Sequence, residues 1–448
     1  MNLHRNSASQ TIVSAAGLVQ TDAAGRQRYD LLAAMASCLG HGAPAVTEAI
    51  HGLADAFAGG GPVPGKWLPQ SFGTARRQRP DTDPSEPSAP ADTPDEHADA
   101  GDDSDAGSFS ADEWMASAGS PTSDWPEPLS EFAAVLPVPS AAIANDLAIQ
   151  LARLRGGVSG ASDKADSQRS SREAYRVITL LGSDPGDTLA CRAAGDTSSL
   201  TSPLGPLVPG FRHVAPGDAR ALEKAIDDQT AAVLISPVNW HRGGIPWDAA
   251  YLPRVRELCD AHGLLLILDE TRLPPAISGH WFHHQADGIQ ADLVTASAGW
   301  VGGLPGGLLL VAASAGIPAT TLDRIAEVDS SLVRAVAVAT ADAIRVSGGP
   351  AAVETLADAW RTSLDELTAG FEFLGKVSGR GLWTVLSTDV DAHAVAAMAA
   401  KVSVRLGVTS DTTLLACPPM TATPEDLLEV LSTLRRGLEM LERETIES

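Results

Sequence analysis

The chain is poor in positive charge, and above all in lysine. Its 448 residues include 32 lysine and arginine residues against 56 aspartate and glutamate residues, which gives a formal net charge of −24. The lysines are Lys66, Lys164, Lys224, Lys376 and Lys401. This balance argues against nucleic acid or an anionic membrane as a partner, since both attract proteins through clustered cations.

Long apolar runs and paired cysteines are also absent from the sequence. No run approaches the ~18 residues of a membrane span, and no basic segment followed by an apolar core opens the chain as in a signal peptide. A cytoplasmic protein is therefore expected. Cys38, Cys191, Cys259 and Cys417 show no metal-ligand spacing. No metal site is predicted, and each cysteine is interpreted as a small buried hydrophobic residue.

Acidic residues are concentrated in residues 80–128, where no lysine or arginine occurs. A segment so rich in carboxylates and poor in apolar side chains cannot offset the entropy of ordering, so a disordered acidic insert is predicted. The alternative is an acidic interaction arm anchored by Trp114 and Trp125. Residues 1–21 are polar and unpatterned, which predicts a flexible arm.

The most informative stretch runs from Gly263 to Pro305. Leu264 to Leu268 is wholly apolar, which is typical of a parallel strand buried on both faces. It ends on Asp269-Glu270, and the carboxyl ends of such strands face the ligand crevice of an open α/β sheet. A second apolar stretch leads to Ser297-Ala298-Gly299.

Strand and helix patterns alternate from residue 133 to residue 311, which predicts an α/β fold with a doubly wound, mostly parallel sheet. The predicted strands are 133–138, 176–181, 231–236, 264–268, 293–295 and 307–311. The predicted helices are 140–154, 218–228 and 252–262, with Gly263 as a C-cap. Residues 190–215 are predicted to be loop.

The central stretch resembles the class III (ornithine/4-aminobutyrate/acetylornithine type) pyridoxal-phosphate-dependent aminotransferases. The matching residues are Asp269-Glu270, Gly279 to Phe282, Asp292, Val294, Thr295, Gly299 and Gly302 to Pro305. Weaker matches are Leu39-Gly40-His41 with Pro44, and Ser140, Ala142, Ala144 and Asn145, whereas Ala141 and Ile143 replace a glycine and a glutamate of the family motif. His41 is interpreted as a turn or packing histidine before a helix that begins at a proline, with a catalytic role as the alternative.

The resemblance implies a fold-type-I transferase. A large α/β domain would span about 130–320. A small α+β domain would combine residues 22–58 with residues 330–448. Homodimers are implied as well, because the related sites are built across two subunits.

The resemblance also implies where pyridoxal phosphate would bind. Ser140, Ala141 and Ala142 correspond to the helix start that holds the phosphate, and Asp269 to the carboxylate at the pyridine nitrogen. Arg272 lies near the expected position of the phenolic oxygen. It could pair with an anion there, but a salt bridge to Asp269 or Glu270 is the favoured interpretation. The implied ligands are thus an amino acid or a phosphate.

Ala298 occupies the position of the Schiff-base lysine, so covalent attachment of the cofactor is not expected. Four other family positions differ as well: Asp184-Pro185 for the stacking aromatic residue, Ser236 for a glutamate, Val328 for a threonine that reaches the phosphate in the neighbouring subunit, and Leu415 for the substrate-binding arginine. Lys66 is the candidate for a substitute lysine. No catalytic residue is therefore assigned.

These departures favour a non-catalytic or repurposed homologue, a pseudoenzyme that serves as a scaffold or binding protein. One alternative is an active enzyme that transfers an amino group from an amino acid or ω-amine to a 2-oxo acid. The other is a regulatory subunit of an active paralogue.

Overall fold

The computed structural model describes residues 11–59, 125–162, 174–195, 205–323, 325 and 330–446. The predictions made for residues 1–10, for the acidic insert up to residue 124, and for Lys66 and Val328 lie outside the described residues.

Within these ranges the strands are β1 (Ile12–Ala16), β2 (Val19–Asp22), β3 (Gln27–Asp30), β4 (Ala134–Val138), β5 (Arg176–Leu180), β6 (Phe211–Val214), β7 (Thr230–Ile235), β8 (Val238–Asn239), β9 (Ile245–Pro246), β10 (Leu265–Glu270), β11 (Leu293–Ala296), β12 (Gly307–Val311), β13 (Leu374–Arg380), β14 (Trp383–Thr388), β15 (Val404–Arg405), β16 (Gly407–Ser410) and β17 (Thr413–Ala416). The α-helices are α1 (Ala33–Ala36), α2 (Pro44–Gly59), α3 (Ala141–Ser162), α4 (Leu189–Ala194), α5 (Ala219–Ala225), α6 (Tyr251–His262), α7 (Ala319–Asp323), α8 (Ser331–Val346), α9 (Ala352–Thr368), α10 (Ala392–Lys401) and α11 (Pro424–Ile446).

A seven-stranded sheet forms the centre of the protein, in the order β4-β12-β11-β10-β7-β5-β6. All neighbouring pairs are parallel except those of β12, which is antiparallel to β11 and to β4. The predicted α/β fold with a mostly parallel sheet is confirmed.

Apolar side chains cover both faces of this sheet. Along β10, Leu266 and Leu268 pack in one apolar cluster, while Leu265 and Ile267 pack in another. The first cluster includes residues of α6 and the second residues of α3. Alternate side chains of a strand point to opposite faces, so an uninterrupted apolar run requires helices on both sides.

The link from α6 to β10 follows from one glycine. Gly263 has φ +65° and its backbone N–H donates to the carbonyl oxygens of Cys259 and Asp260. Left-handed backbone costs glycine little, so the helix can end here and β10 can begin two residues later.

Two further four-stranded sheets lie outside the central sheet. One is antiparallel, in the order β13-β14-β17-β16. The other has the order β1-β2-β3-β15, and within it β15 runs parallel to β3, with Arg405 opposite Asp30. This pairing joins the N-terminal segment to the C-terminal part of the chain.

The prediction of a flexible arm up to residue 21 was wrong for the described residues, because β1 and β2 form an antiparallel hairpin there. Along β2 and the turn before it the buried residues are Leu18, Gln20 and Asp22. Two of these three residues are polar. The alternation of buried and exposed side chains is therefore not accompanied by the alternation of apolar and polar residues that predicts a strand. The predicted loop over 190–215 also contains α4 and the edge strand β6.

No helix in the described ranges is long and apolar enough to cross a membrane. The same ranges hold no group of three or more His, Cys, Asp or Glu side chains that could bind a metal ion. All four cysteines are free and buried, as predicted.

Glu270 holds the segment at 283–284 against the end of β10 through hydrogen bonds. Its buried carboxylate accepts hydrogen bonds from the backbone N–H groups of His283 and His284, at 2.8 and 3.0 Å, and lies 2.6 Å from His284 Nδ1. Burial alone would raise the pKa of Glu270, but the His284 hydrogen bond and charge outweigh it, and the pKa is lowered. The His283 ring is also buried, and burial lowers its pKa to about 4.

We predict that His283 makes the protein less stable in acid. The unfolded chain takes up a proton near pH 6.5, whereas the folded protein does not until about pH 4. The stability from neutral His283 is thus present above pH ~6.5 and is lost as the pH falls towards 4, by at most about 3 kcal/mol. Unfolding in urea from pH 7.5 to pH 4.5 should show a shallower decline of the unfolding free energy for His283→Gln than for the wild type. The control is His280→Gln, at an exposed position, which should keep the wild-type slope. Equal slopes for all three proteins would contradict the assignment.

Candidate functional site

The crevice lies at the carboxyl end of β10, where Asp269 is the first polar side chain after the apolar run. Asp269 Oδ1 accepts hydrogen bonds from the backbone N–H of Thr271 at 3.0 Å and from its hydroxyl at 2.6 Å. Burial raises the pKa of Asp269, and the hydrogen bonds from Thr271 and Asn145 and the charge of Arg272 oppose that rise without cancelling it. A partly buried carboxylate with a raised pKa at a strand end is a candidate for a functional site.

Asn145, in the second turn of α3, connects three walls of the crevice. Its Oδ1 accepts from the hydroxyl of Thr295 on β11 at 2.6 Å, and its Nδ2 donates to the carbonyl oxygen of Pro185 at 2.8 Å. Because both its oxygen and its amide nitrogen are hydrogen-bonded, the Asn145 side chain cannot rotate freely. It therefore holds α3, β11 and the loop at 184–186 together.

The start of α3 is the predicted phosphate cradle formed by Ser140, Ala141 and Ala142. Ser140 is the N-cap residue, and its Oγ accepts from the backbone N–H of Ile143 at 3.2 Å. Gly186, at φ +131°, closes over this turn, because a Cβ there would lie 2.5 Å from the Ala142 Cβ. The helix start is thus capped and crowded, although a helix N-terminus as such attracts anions.

Arg272 pairs with Asp184, so the favoured prediction of a salt bridge to Asp269 or Glu270 was wrong. Its Nη2 donates to the backbone carbonyl of Asp184 at 2.7 Å and to the carboxylate of the same residue. Its guanidinium carbon lies 5.5 Å from the centre of the Trp240 ring. Burial would raise the pKa of Asp184, but the Arg272 charge and hydrogen bond lower it on balance. Arg272 is drawn away from β10 because the loop after β5 offers both a carboxylate and a carbonyl.

Ala298 brings no amine into the crevice. Its backbone N–H donates to the Thr271 carbonyl at 2.9 Å, and the neighbouring Ser297 hydroxyl donates to the Gly306 carbonyl at 2.6 Å. In the described part of the chain the lysines are Lys224, Lys376 and Lys401, and all three are exposed.

Two other altered positions have taken structural roles. The Ser236 hydroxyl accepts a hydrogen bond from Trp240 Nε1 at 3.1 Å. Leu415 on β17 is fully buried in the apolar core. Neither residue can replace the charged group that the family has there.

These residues do not fit pyridoxal phosphate bound through a Schiff base. Asp269 and the start of α3 are present, but Ala298 supplies no amine at the position where the resemblance implies the lysine, and Asp184, at the position implied for the stacking aromatic residue, pairs with Arg272. Sequence reasoning had treated Asp184 only as a lost aromatic residue and missed it as a partner for Arg272. The sequence offered one signal for this pair: Arg272 and Asp184 carry opposite charges at two positions that the resemblance places beside the same crevice.

Comparisons with known proteins agree with this architecture. The family model described as aminotransferase class-III matches residues 120–438. An acetylornithine aminotransferase from Mesorhizobium japonicum is 33% identical over 282 residues, which cover 59% of this chain and 67% of that protein. The acetylornithine aminotransferase from Brucella melitensis is 31% identical over 310 residues, covering 67% and 73% of the two chains.

Solved structures show the same fold. The ornithine aminotransferase from Toxoplasma gondii superposes with a TM-score of 0.72 at 20% identity, covering 98% of this chain and 93% of the other. The N-acetylornithine aminotransferase from Stenotrophomonas maltophilia gives a TM-score of 0.65 at 24% identity and covers 98% of both chains. At such identities the likeness shows the fold alone.

We predict that Asp184→Asn lowers the unfolding free energy by about 1 kcal/mol, because the Arg272 guanidinium loses a partly buried ionic partner. The matched control is Asp187→Asn, whose aspartate pairs with Arg192 but is 81% exposed. That change should fall within ~0.5 kcal/mol of the wild type. Urea unfolding at pH 7 measures both. Equal losses for the two variants would show that the Arg272–Asp184 pair adds nothing beyond a surface contact.

Proposed function

Because the chain belongs to the class III aminotransferase family, we propose that it is a member that retains the fold without catalysing transamination, and that it works as a binding or scaffold protein. The single observation that carries this proposal is Ala298, which has no side-chain amine at the position where the resemblance implies the Schiff-base lysine.

The reaction needs an amine that holds the cofactor and then moves a proton. Loss of a general base alone typically slows a reaction ~10²–10⁴-fold. Ser297, beside Ala298, donates its hydroxyl proton to a backbone carbonyl and is no base at neutral pH. Lys401 lies 3.5 Å from Glu444 at the protein surface. The described lysines therefore offer no substitute.

The altered crevice supports the same proposal. A cofactor ring placed beside Asp269 would meet the Arg272–Asp184 ion pair in place of an aromatic face. Binding would require that the ion pair open, with the loss of three contacts of Arg272: to the carbonyl, to the carboxylate and to the ring of Trp240. Any pyridoxal phosphate bound here would be held weakly and without a covalent bond.

We predict that neither pyridoxal phosphate nor pyridoxamine phosphate binds the wild type with micromolar affinity in calorimetry, and that no absorbance shift of a covalently held cofactor appears. Ala298→Lys alone should gain little, because the ion pair remains. Ala298→Lys combined with Arg272→Gln should bind more tightly than either single variant, since it supplies the amine and releases Asp184.

Asp269→Ala provides the control for this experiment. If the wild type bound pyridoxal phosphate with micromolar affinity, and Asp269→Ala abolished that binding, the crevice would be a working cofactor site. Amino transfer from an amino donor to a 2-oxo acid by that wild-type protein would then refute the proposal in favour of an active aminotransferase.

A further inference from the structure

A second cavity, of about 270 Å³, lies between the N-terminal segment and the turn at 297–304. Its polar wall is formed by Asp30, His41 and Arg405, and its apolar wall includes Leu32, Met35 and Leu304. Asp269, Arg272 and Asp184 do not line it. Ser297 and Ala298 also line it, so the cavity adjoins the crevice at this turn.

The polar wall is built around Asp30, which is fully buried. Its carboxylate accepts from Gln20 Nε2 at 2.7 Å, from Arg405 Nη1 at 3.0 Å and from the backbone N–H of Leu32 at 3.0 Å, and it lies 2.9 Å from His41 Nε2. Burial would raise the pKa of Asp30, but His41 and Arg405 lower it on balance. With these four groups around it, the carboxylate has no open position left for a ligand cation.

Arg405, in contrast, retains N–H groups that make no hydrogen bond within the described residues. Among the described residues its side chain hydrogen-bonds only to Asp30, through Nη1. The Nε and Nη2 groups remain, in a side chain that is 31% exposed. A guanidinium has five N–H donors in a planar fork suited to a carboxylate.

The local charge balance is positive, in contrast to the chain as a whole. Arg26 and Asp22 pair with each other outside the cavity. Near its polar wall Arg28 and Arg405 stand against Asp30, which leaves one positive charge before His41 is counted. Arg28 shows the effect, since burial and then the charge of Arg405 lower its pKa. A single excess charge on a partly enclosed wall favours a monoanion.

We propose that this cavity binds a small monocarboxylate with a short apolar body. The carboxylate lies against Arg405 and His41, and the apolar body packs on Leu32, Met35 and Leu304. The volume falls below the ~300–1,000 Å³ of pockets for drug-sized ligands, which limits the ligand to a small molecule. The inference rests on the proposed binding role and specifies the class of ligand.

The test uses the full-length protein and 4-methylpentanoate as the probe, followed by calorimetry and ligand-observed NMR. A dissociation constant on the order of 0.1–1 mM is expected for a ligand of about eight non-hydrogen atoms. The uncharged 4-methylpentanamide and inorganic phosphate should each bind at least ~10-fold more weakly, because one lacks the charge and the other the apolar body.

Two variants address the two walls separately. Arg405→Gln should weaken the probe ~10-fold or more, and Arg26→Gln, which alters an arginine in the turn between β2 and β3 outside the cavity, should not. Ala298→Leu adds side-chain volume at the opposite wall of the cavity and leaves the four groups around Asp30 in place. It should also weaken the probe ~10-fold or more, and it keeps the test decisive if Arg405→Gln fails to fold.

Failure of the probe to bind the folded wild type, or equal affinity of the wild type and Ala298→Leu, would overturn the inference. Tight binding of the amide or of phosphate would overturn it too. Each of these results is independent of the cofactor titration. A protein that proves to be an active aminotransferase would refute the proposed function, whereas an inactive protein that ignores the probe would refute only the ligand class.

Discussion

The parallel pairing of β10 on both sides is the constraint on which the crevice depends. β10 lies between β7 and β11, with Leu268 opposite Ile235 on one side and Val294 on the other. Its side chains enter two different apolar clusters, so the strand can neither slide nor twist without exposing one of them. The end of β10 is therefore fixed, and Asp269 and Glu270 lie at the carboxyl edge of the sheet independently of the conformation of the surrounding loops.

Adjacent positions on this rigid strand give the two carboxylates opposite electrostatics. Glu270 receives two backbone N–H groups and the ring of His284, and its pKa is lowered. Asp269 receives mainly neutral partners, and its pKa is raised by burial. The cation nearest in sequence, Arg272, is committed to Asp184. Asp269 is thus only partly exposed and, among the described residues, has no hydrogen-bonded arginine or lysine, which sets it apart from the ion-paired acids nearby and makes it the candidate ligand position of this edge.

Most of the central sheet could be predicted from the sequence, because β7, β10 and β12 are short apolar runs between turn residues and helices of clear periodicity. The failures have a common physical origin. β2 buries Gln20 and Asp22, and β6 is an edge strand, so neither shows the apolar pattern of a core strand.

Side-chain pairing across the chain was beyond sequence reasoning for a different reason. Asp184 and Arg272 are 88 residues apart, and Asp30 and Arg405 are 375 apart. They meet only because the order of strands in each sheet brings their loops together, and no spacing along the chain encodes that order. The resemblance assigns residues to the crevice, whereas it does not predict which side chains they pair with.

The turn at 297–299 shows which of its positions the fold constrains and which it leaves free. Its backbone is held by hydrogen bonds from Ala298 N–H to Thr271 and from Gly299 N–H to Met35, at 2.9 and 3.2 Å. Gly299 has φ +75°, and a Cβ there would lie 2.7 Å from the Pro274 Cβ, so this position requires glycine. Position 298 carries no such demand, because only its backbone is engaged. The fold therefore constrains Gly299 and leaves position 298 free to vary, so the proposed loss of transamination chemistry is compatible with an intact scaffold.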